Sequence, residues 1–320
     1  PASSSPTAQA TAQFIQALVF DPHDTNTVWA AVEGDASVSL YRSEDGAGTW
    51  HRISALPRRQ VINALALDQS GRNLYVAARY QPLMWQSSDG GATWRRVSGW
   101  PRRVVPIGAR GSVPALVQSI VMDRSRPEMV YAVTANVVFR SSDGGRTWRR
   151  ASRGLPKGQP YYPWIGGDLV VDGLDPNVLY LVTHSRGVYR SQNGGQRWVR
   201  ANRRCSRDCL TRVHVAPTNA DYVRLAADPS RRNRLYAGAL AGIYRSGDGG
   251  DRWPRVLRIA RSWAAEGVAV ASDGTVYANG TIQGGGRPIV TVARSDNAGR
   301  TWTHTLRFRS SPPDTAYLAA

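Results

Sequence analysis

The sequence has little of several residue types, and each shortage narrows what the protein can be. It contains two cysteines, one lysine and four glutamates in 320 residues. No apolar run approaches the length of about 20 residues that a membrane-spanning helix needs. The glutamates are Glu33, Glu44, Glu128 and Glu266. The sequence therefore predicts no membrane-spanning helix and offers few groups for acid–base catalysis.

Catalytic and cofactor-binding patterns are also missing. The sequence has no Ser-His-Asp order, no zinc-ligand spacing and no phosphate-binding glycine loop, since no helix is predicted after the glycines at 284–286. The five histidines are scattered along the chain. We therefore predict no catalytic residues, no metal site and no cofactor.

What the sequence does contain is a repeat. An eight-residue segment, which we call a box turn, occurs six times. The copies are Ser43–Trp50 (SEDGAGTW), Ser87–Trp94 (SSDGGATW), Ser141–Trp148 (SSDGGRTW), Ser191–Trp198 (SQNGGQRW), Ser246–Trp253 (SGDGGDRW) and Ser295–Trp302 (SDNAGRTW). Successive tryptophans are 44, 54, 50, 55 and 49 residues apart. A period of this length indicates one structural unit used six times.

Each box turn has the composition of a hairpin turn between two strands. Glycine supplies the positive φ angles, and a carboxylate or carboxamide oxygen accepts backbone N–H groups of the turn. The tryptophan covers the turn as a large apolar plate. The residues predicted for the capping role are Asp45, Asp89, Asp143, Asn193, Asp248 and Asn297. Because two of the six are asparagine, the pattern favours a structural role over acid catalysis.

Two further apolar strands, separated by an Asp-containing turn, precede each box turn. Four antiparallel strands (A to D) repeated at this period are typical of a β-propeller blade. The predicted fold is therefore all-β, a six-bladed β-propeller with a box turn at each C–D hairpin. The predicted blades span residues 14–53, 61–97, 116–151, 168–201, 222–256 and 264–306. The gaps between boxes are too even to hide a seventh blade.

The pattern Ser-x-Asp-x-Gly-x-Thr-Trp resembles the Asp-box, also called the bacterial neuraminidase (BNR) repeat. This repeat is found in sialidases, sortilin-type receptors, some glucan hydrolases and photosystem II assembly factors of the β-propeller class. In character the chain is most similar to the photosystem II assembly factor-like and sialidase-superfamily propellers. The resemblance implies that the box turns are peripheral and lie away from any ligand site.

The chain ends and the cysteines predict an exported protein. Residues 1–13 are rich in Ala, Ser, Thr, Pro and Gln and begin without Met, which is typical of a flexible linker left after signal-peptide removal. Residues 307–320 are predicted to form a tail that can add one ring-closing strand. Cys205 and Cys209 lie in an arginine-rich loop and favour a disulfide over a reactive thiol pair. We expect an extracytoplasmic location, either secreted, periplasmic or tethered at the cell surface.

The net charge of +18 is concentrated on one predicted face. Strand order places the D-to-A and B-to-C connections on one face, which we call the basic face. The A-to-B turns and box turns share the other, the box face. Arginines beside aromatic rings suit anionic or planar partners. The candidate binding residues of the basic face are Arg58, Arg59, Trp100, Arg102, Arg103, Arg110, Tyr161, Tyr162, Trp164, Arg203, Arg204, Arg207, Arg258, Arg261 and Trp263. The alternative is a solvated arginine rim whose aromatic rings fold back onto the blades.

These observations favour a non-catalytic binding or assembly propeller. Its basic face would dock an acidic protein segment, an anionic glycan or a membrane surface, with the chain acting as a scaffold or as a subunit of a larger complex. The resemblance to photosystem II assembly factors implies an arginine patch that holds a membrane-protein partner. Export and a disulfide argue against nucleic acid as the partner.

The competing hypothesis is a sialidase-like or other glycoside hydrolase. The sialidase resemblance implies an arginine cluster, a tyrosine activated by glutamate and an aspartic acid/base, but the Arg-Ile-Pro signature of that family is missing. A hydrolase with two carboxylates would have to use Glu33, Asp35, Asp168 or Glu266 on the basic face. Nothing in the sequence brings these acids together.

Overall fold

The computed structural model describes residues 14–21, 23–24, 26–33, 38–53, 62–78, 81–104, 112–134, 137–155, 168–183, 187–201, 224–239, 242–258, 263–282 and 289–309. Every regular element in these ranges is a β-strand. Within the same ranges there is no helix long and apolar enough to cross a membrane.

Twenty-four strands form six blades of four. Blade 1 contains β1 (Phe14–Phe20), β2 (Val28–Glu33), β3 (Val38–Ser43) and β4 (His51–Ile53). Blade 2 contains β5 (Ile62–Leu67), β6 (Leu74–Ala78), β7 (Met84–Ser87) and β8 (Arg95–Arg96). An additional hairpin of β9 (Arg103–Val104) and β10 (Val113–Pro114) precedes blade 3. Blade 3 contains β11 (Ser119–Met122), β12 (Val130–Thr134), β13 (Val137–Ser141) and β14 (Arg149–Arg150).

The second half of the chain repeats this pattern. Blade 4 contains β15 (Leu169–Val171), β16 (Leu179–Thr183), β17 (Gly187–Ser191) and β18 (Val199–Arg200). Blade 5 contains β19 (Arg224–Ala227), β20 (Leu235–Ala239), β21 (Gly242–Ser246) and β22 (Arg255–Arg258). Blade 6 contains β23 (Trp263–Val270), β24 (Val276–Ile282), β25 (Ile289–Ser295) and β26 (Thr303–Arg309).

Each blade is an antiparallel sheet whose strands pair in chain order, A with B, B with C and C with D. The box turn joins strands C and D in every blade. The predicted fold, a six-bladed β-propeller of four-stranded antiparallel blades, is therefore confirmed. Because hairpin connections link neighbouring strands, every sheet is built from one continuous stretch of chain.

The structure extends the sequence prediction in two places. The β9/β10 hairpin lies in the D-to-A connection between blades 2 and 3, where the sequence predicts only a loop. Strand β26 continues to Arg309, three residues beyond the predicted end of blade 6, and pairs with β25 along its whole length. The linker at 1–13 and the remaining tail residues, 310–320, lie outside the described residues.

The hydrophobic core is divided into layers between blades. Five buried clusters join consecutive blades, from blades 1 and 2 to blades 5 and 6. In each of these layers an aromatic residue at the second position of strand B packs towards the following blade. Those residues, Trp29, Tyr75, Tyr131, Tyr180 and Tyr236, are fully buried. Burying such large rings accounts for much of the stabilisation between blades.

Candidate functional site

Backbone hydrogen bonds establish the two faces of the propeller. In the first five blades, the first glycine of the box turn donates its N–H to a carbonyl in the A-to-B turn of the same blade. One of these bonds joins the Gly144 nitrogen to the Glu128 carbonyl oxygen at 3.0 Å. The box turns and A-to-B turns therefore share a face, as predicted, and the D-to-A connections lead back over the other.

The box turns are held by their own side chains. In the second turn, the Ser87 hydroxyl donates to Asp89, which in turn accepts the Thr93 backbone N–H at 2.9 Å and the Thr93 hydroxyl. These bonds, led by the Thr93 hydroxyl, lower the pKa of the Asp89 carboxyl to about 2. In the fourth turn Asn193 replaces the acid, and its Oδ1 accepts the Arg197 N–H at 2.9 Å. The predicted turn-capping geometry is therefore present with either residue.

Acids on the box face are largely occupied by structural contacts. Asp123 and Asp228 are almost fully buried and accept bonds from their own A-to-B turns. Asp123 also forms an ion pair with Arg126 at 2.7 Å, and Asp228 pairs with Arg234 at 3.5 Å. Arginines on this face are thus partly neutralised by neighbouring acids.

Arginines described on the basic face have fewer acidic neighbours. Arg102 is exposed, and no hydrogen bond or ion pair is seen between its side chain and the residues that the structure describes. Arg103 is exposed as well, and its Nε donates to the Ser112 hydroxyl at 2.8 Å across the β9/β10 hairpin. The hairpin therefore fixes the position of the Arg103 guanidinium, whereas the Arg102 side chain is exposed and has no partner among the described residues.

Trp100 lies in the core rather than on the basic face. Its ring is 5% exposed, meets Phe139 and Trp148 edge-on, and donates its Nε1–H to the Ala115 carbonyl at 2.9 Å. Because the ring and its single N–H donor are buried, Trp100 cannot stack against a ligand at the basic face. The repeat contains a signal of this burial. Gly99 and Trp100 occupy the same repeat positions as Gly154 and Leu155 one blade later, and Leu155 is buried.

Most other candidate residues cannot be placed. Arg258 ends β22 and Trp263 begins β23, so both flank one D-to-A connection, and only their backbone is described. The candidates outside the described residues are Arg58, Arg59, Arg110, Tyr161, Tyr162, Trp164, Arg203, Arg204, Arg207 and Arg261, together with Cys205 and Cys209. Their roles remain predictions.

The Asp168 side chain lies at the start of the innermost strand of blade 4 and forms hydrogen bonds to the blades on both sides. The Asp168 carboxylate accepts the Ser119 hydroxyl of blade 3 at 3.3 Å and the Leu225 N–H of blade 5 at 2.9 Å. Burial raises the pKa of this carboxyl, although the Arg224 guanidinium and the Leu225 N–H oppose that rise. Gln118 Oε1 is buried and has no hydrogen-bond partner among the described residues. The inner rim of the basic face is therefore polar, and Asp168 links adjacent blades by hydrogen bonds.

Most acids considered for glycoside hydrolysis have no described side chain. Of the four acids considered for glycoside hydrolysis, only Asp168 has a described side chain, and its bonds are to neighbouring blades. No group of three or more potential metal ligands occurs among the residues that the structure describes.

The fold and its faces define a β-propeller, and solved structures show the same fold. An ancestral GH74 enzyme superimposes with a TM-score of 0.63 and 17% identity over 98% of this chain, which spans 40% of the length of that enzyme. YCF48 bound to a D1 peptide gives a TM-score of 0.59 and 17% identity, covering 92% of this chain and 81% of YCF48. YCF48 from Cyanidioschyzon merolae gives 0.56 and 15%, with coverages of 93% and 86%. No family model and no curated protein sequence matches the chain.

Proposed function

We propose that the protein is a non-catalytic, extracytoplasmic binding propeller of the Asp-box type. Its basic face docks an acidic segment of a protein partner. The observation that carries this proposal is that charged side chains are paired on the box face and unpaired among the described residues of the basic face. On the box face, Asp123 and Asp228 are buried and pair with arginines, whereas Arg102 on the basic face is exposed without a described acidic neighbour.

The physical reason for docking is the unneutralised charge of the arginine-rich connections. A surface that carries many like charges attracts an oppositely charged partner and accelerates its capture. Arginine forks also bind carboxylates with two parallel hydrogen bonds, which adds geometric specificity. The solved complex of YCF48 with a D1 peptide supports the proposal, because it is a propeller of similar fold that binds a peptide.

The test replaces six basic-face arginines together with serine: Arg58, Arg59, Arg102, Arg103, Arg203 and Arg204. The probe is a fluorescein-labelled 15-residue peptide rich in Glu and Asp, and binding is followed by anisotropy. Each exposed ion pair contributes only about 0.2–1 kcal/mol, so single changes have small effects and the sixfold change abolishes binding. Binding to the wild type weakens as salt is raised, because salt screens exposed charges.

The control carries six serine replacements at exposed box-face arginines that lack described ion pairs: Arg72, Arg146, Arg197, Arg231, Arg252 and Arg300. Arg126 and Arg234 are unsuitable here, since their replacement would leave buried acids unpaired. The control should bind the peptide like the wild type and keep its melting temperature. Loss of binding in the control alone would place the docking surface on the box face. Preferential binding of heparin or of phosphatidylglycerol vesicles would overturn the choice of a protein partner.

A further inference from the structure

The outermost strands of the six blades carry charge of one sign. Strand D, which forms the outer edge of each blade, is β4, β8, β14, β18, β22 and β26 in turn. These strands contain no aspartate or glutamate, although the chain has 23 acidic residues. Their arginines are Arg52, Arg95, Arg96, Arg149, Arg150, Arg200, Arg255, Arg258, Arg307 and Arg309. The outer edge is therefore a third arginine-rich surface, separate from the basic face and the box face.

One arginine of strand D recurs at the same place in blades 1 to 5, where it lies directly opposite an aromatic residue of strand C. The pairs are Arg52 with Tyr41, Arg96 with Trp85, Arg150 with Phe139, Arg200 with Tyr189 and Arg255 with Tyr244. Residues opposite each other in an antiparallel sheet have Cβ atoms about 4.5–5.5 Å apart on the same side of the sheet. We call these five arginines the rim belt.

The arginines of the rim belt are open to solvent. All five are exposed, whereas Trp85, Phe139, Tyr189 and Tyr244 are only 3% to 8% exposed. An arginine can lay its aliphatic stem along an apolar surface while its charged end stays in water. The pairing therefore places one accessible guanidinium at the outer edge of each of five consecutive blades.

Protection of the sheet edges does not explain the sign of this charge. Charged side chains on an edge strand prevent it from pairing with another sheet. Acids would serve that purpose as well as bases, yet every Asp, Glu, Lys or Arg position of strand D is arginine. Aspartates of the preceding box turns are already engaged, since Asp89 and Asp143 each accept a threonine N–H of their own turn at 2.9 Å. The uniform charge indicates an anionic partner.

The shape of the rim belt restricts which anion fits it. The belt follows the convex edge of a ring, so a flat membrane meets only part of it. Duplex DNA is too stiff to follow it, because its persistence length is about 150 base pairs. Single-stranded nucleic acid binds by stacking on exposed aromatic rings, whereas four of the five paired rings are buried. Strands β8, β14 and β18 have two residues each, too few to pair with an added peptide strand.

We propose that the rim belt binds a linear acidic polysaccharide whose sugar units carry carboxylates. Each guanidinium can form two parallel hydrogen bonds with one carboxylate. An exposed ion pair contributes little alone, but carboxylates joined in one flexible chain reach successive arginines as intramolecular contacts, which raises the overall affinity. The rim belt and the basic face therefore differ in both position and ligand.

The test follows the binding of fluorescein-labelled polygalacturonate to the full chain by anisotropy. Replacing all five rim-belt arginines with glutamine should weaken binding by about tenfold or more, because five small ion-pair contributions are lost together. Replacing the same five with lysine keeps the charge and should retain most of the binding. The melting temperatures of both variants show whether they are folded.

The length of the polysaccharide gives an independent test on the wild type. A galacturonate trimer cannot join several blades, so it should bind about a hundredfold more weakly than the polymer. Equal affinities would indicate a single local pocket and would overturn the proposal, whatever the stability of the variants.

A matched control has the same net charge as the glutamine variant. It carries glutamine at five exposed box-face arginines: Arg72, Arg146, Arg197, Arg252 and Arg300. This control should bind polygalacturonate like the wild type, and an equal loss in both variants would mean that only net charge matters, which overturns the proposal. Stronger competition by oligothymidylate or polyglutamate than by unlabelled polygalacturonate would overturn the choice of a polysaccharide.

The rim belt can be tested separately from the basic face. The sixfold basic-face variant should bind polygalacturonate normally, and the glutamine variant of the rim belt should bind the acidic peptide normally. Failure of either proposal is therefore visible independently of the other. The rim-belt proposal is overturned if the basic-face variant loses polygalacturonate while the glutamine variant of the rim belt retains it.

Discussion

Asp89 shows how one side chain organises a box turn. It accepts the Thr93 N–H, the Thr93 hydroxyl and the Ser87 hydroxyl, and these bonds favour the ionised carboxylate. The asparagine at position 193 caps its turn through a single oxygen instead. The same geometric role can thus be filled with or without charge, which is why repeated aspartates here need no catalytic explanation.

We expect D89A to lower the melting temperature clearly more than D89N, because Asn retains the Oδ1 acceptor for the Thr93 N–H. The pKa of Asp89 is lowered from 3.8 to about 2, so its contribution is complete above pH 4 and is lost as the pH falls towards 2. The difference in melting temperature between D89A and wild type should therefore be larger at pH 6 than near pH 2, where only the contribution of an uncharged cap remains. A constant difference across that range would contradict the prediction.

Tyr75 and Tyr180 occupy equivalent positions but differ at the hydroxyl. The Tyr180 hydroxyl donates to Asn233 Oδ1 of blade 5 at 2.9 Å, whereas the buried Tyr75 hydroxyl has no described partner. Y180F should lower the free energy of unfolding in urea by roughly 0.5–1.5 kcal/mol, the usual net value of one hydrogen bond. Y75F should be neutral or stabilising. Equal losses in the two variants would show that the hydroxyls are equivalent.

At the scale of the element, the box turn depends on a residue with positive φ beside the preceding blade. Gly145 has a φ of 78°, and a Cβ added there would lie 2.9 Å from the Tyr75 ring, whereas Ala47 adopts a φ of 73° at the same position of the first box turn. The same backbone conformation therefore accommodates a Cβ at one box turn and leaves little room for it at the other.

We expect G145A and A47G to change stability in opposite directions. G145A introduces a Cβ into the left-handed region and against an aromatic ring, and should cost about 1–3 kcal/mol. A47G relieves the left-handed strain and should stabilise by up to about 1 kcal/mol, less the entropy cost of glycine. Urea midpoints measured side by side provide the comparison. A destabilising A47G would mean that the Ala47 side chain makes stabilising contacts that outweigh the strain.

At the scale of the whole molecule, the repeat made the blades and turns predictable. The six box turns marked every C–D hairpin, and the predicted spans agree with the strand bounds to within a few residues at nearly every end. This succeeded because box turns are stabilised by contacts within eight residues, which a single sequence displays. Strand β26 continues past the predicted end because pairing with β25, rather than local composition, sets its length.

The candidate site was less predictable, because it depends on contacts between distant segments. Trp100, beside Pro101 and two arginines, has the local composition of an exposed loop, yet it packs on Phe139 and Trp148 of the next blade. Tyr277 is 38% exposed, although its local sequence resembles that of its buried counterparts, so its exposure could not be predicted from the repeat.

Each blade is made of four consecutive strands, and no described strand is exchanged between the first and last blades. In consequence, the blades form a series in which each one packs on the blades next to it in the chain. Buried clusters of described residues join each of blades 2 to 5 to a neighbour on both sides, and join blades 1 and 6 to a neighbour on one side. In such an array the stability of each unit depends on its nearest neighbours, so the end units fray before the middle. Among the described strands, the first and last blades share no ladder of hydrogen bonds, so either of these blades can unfold without breaking one.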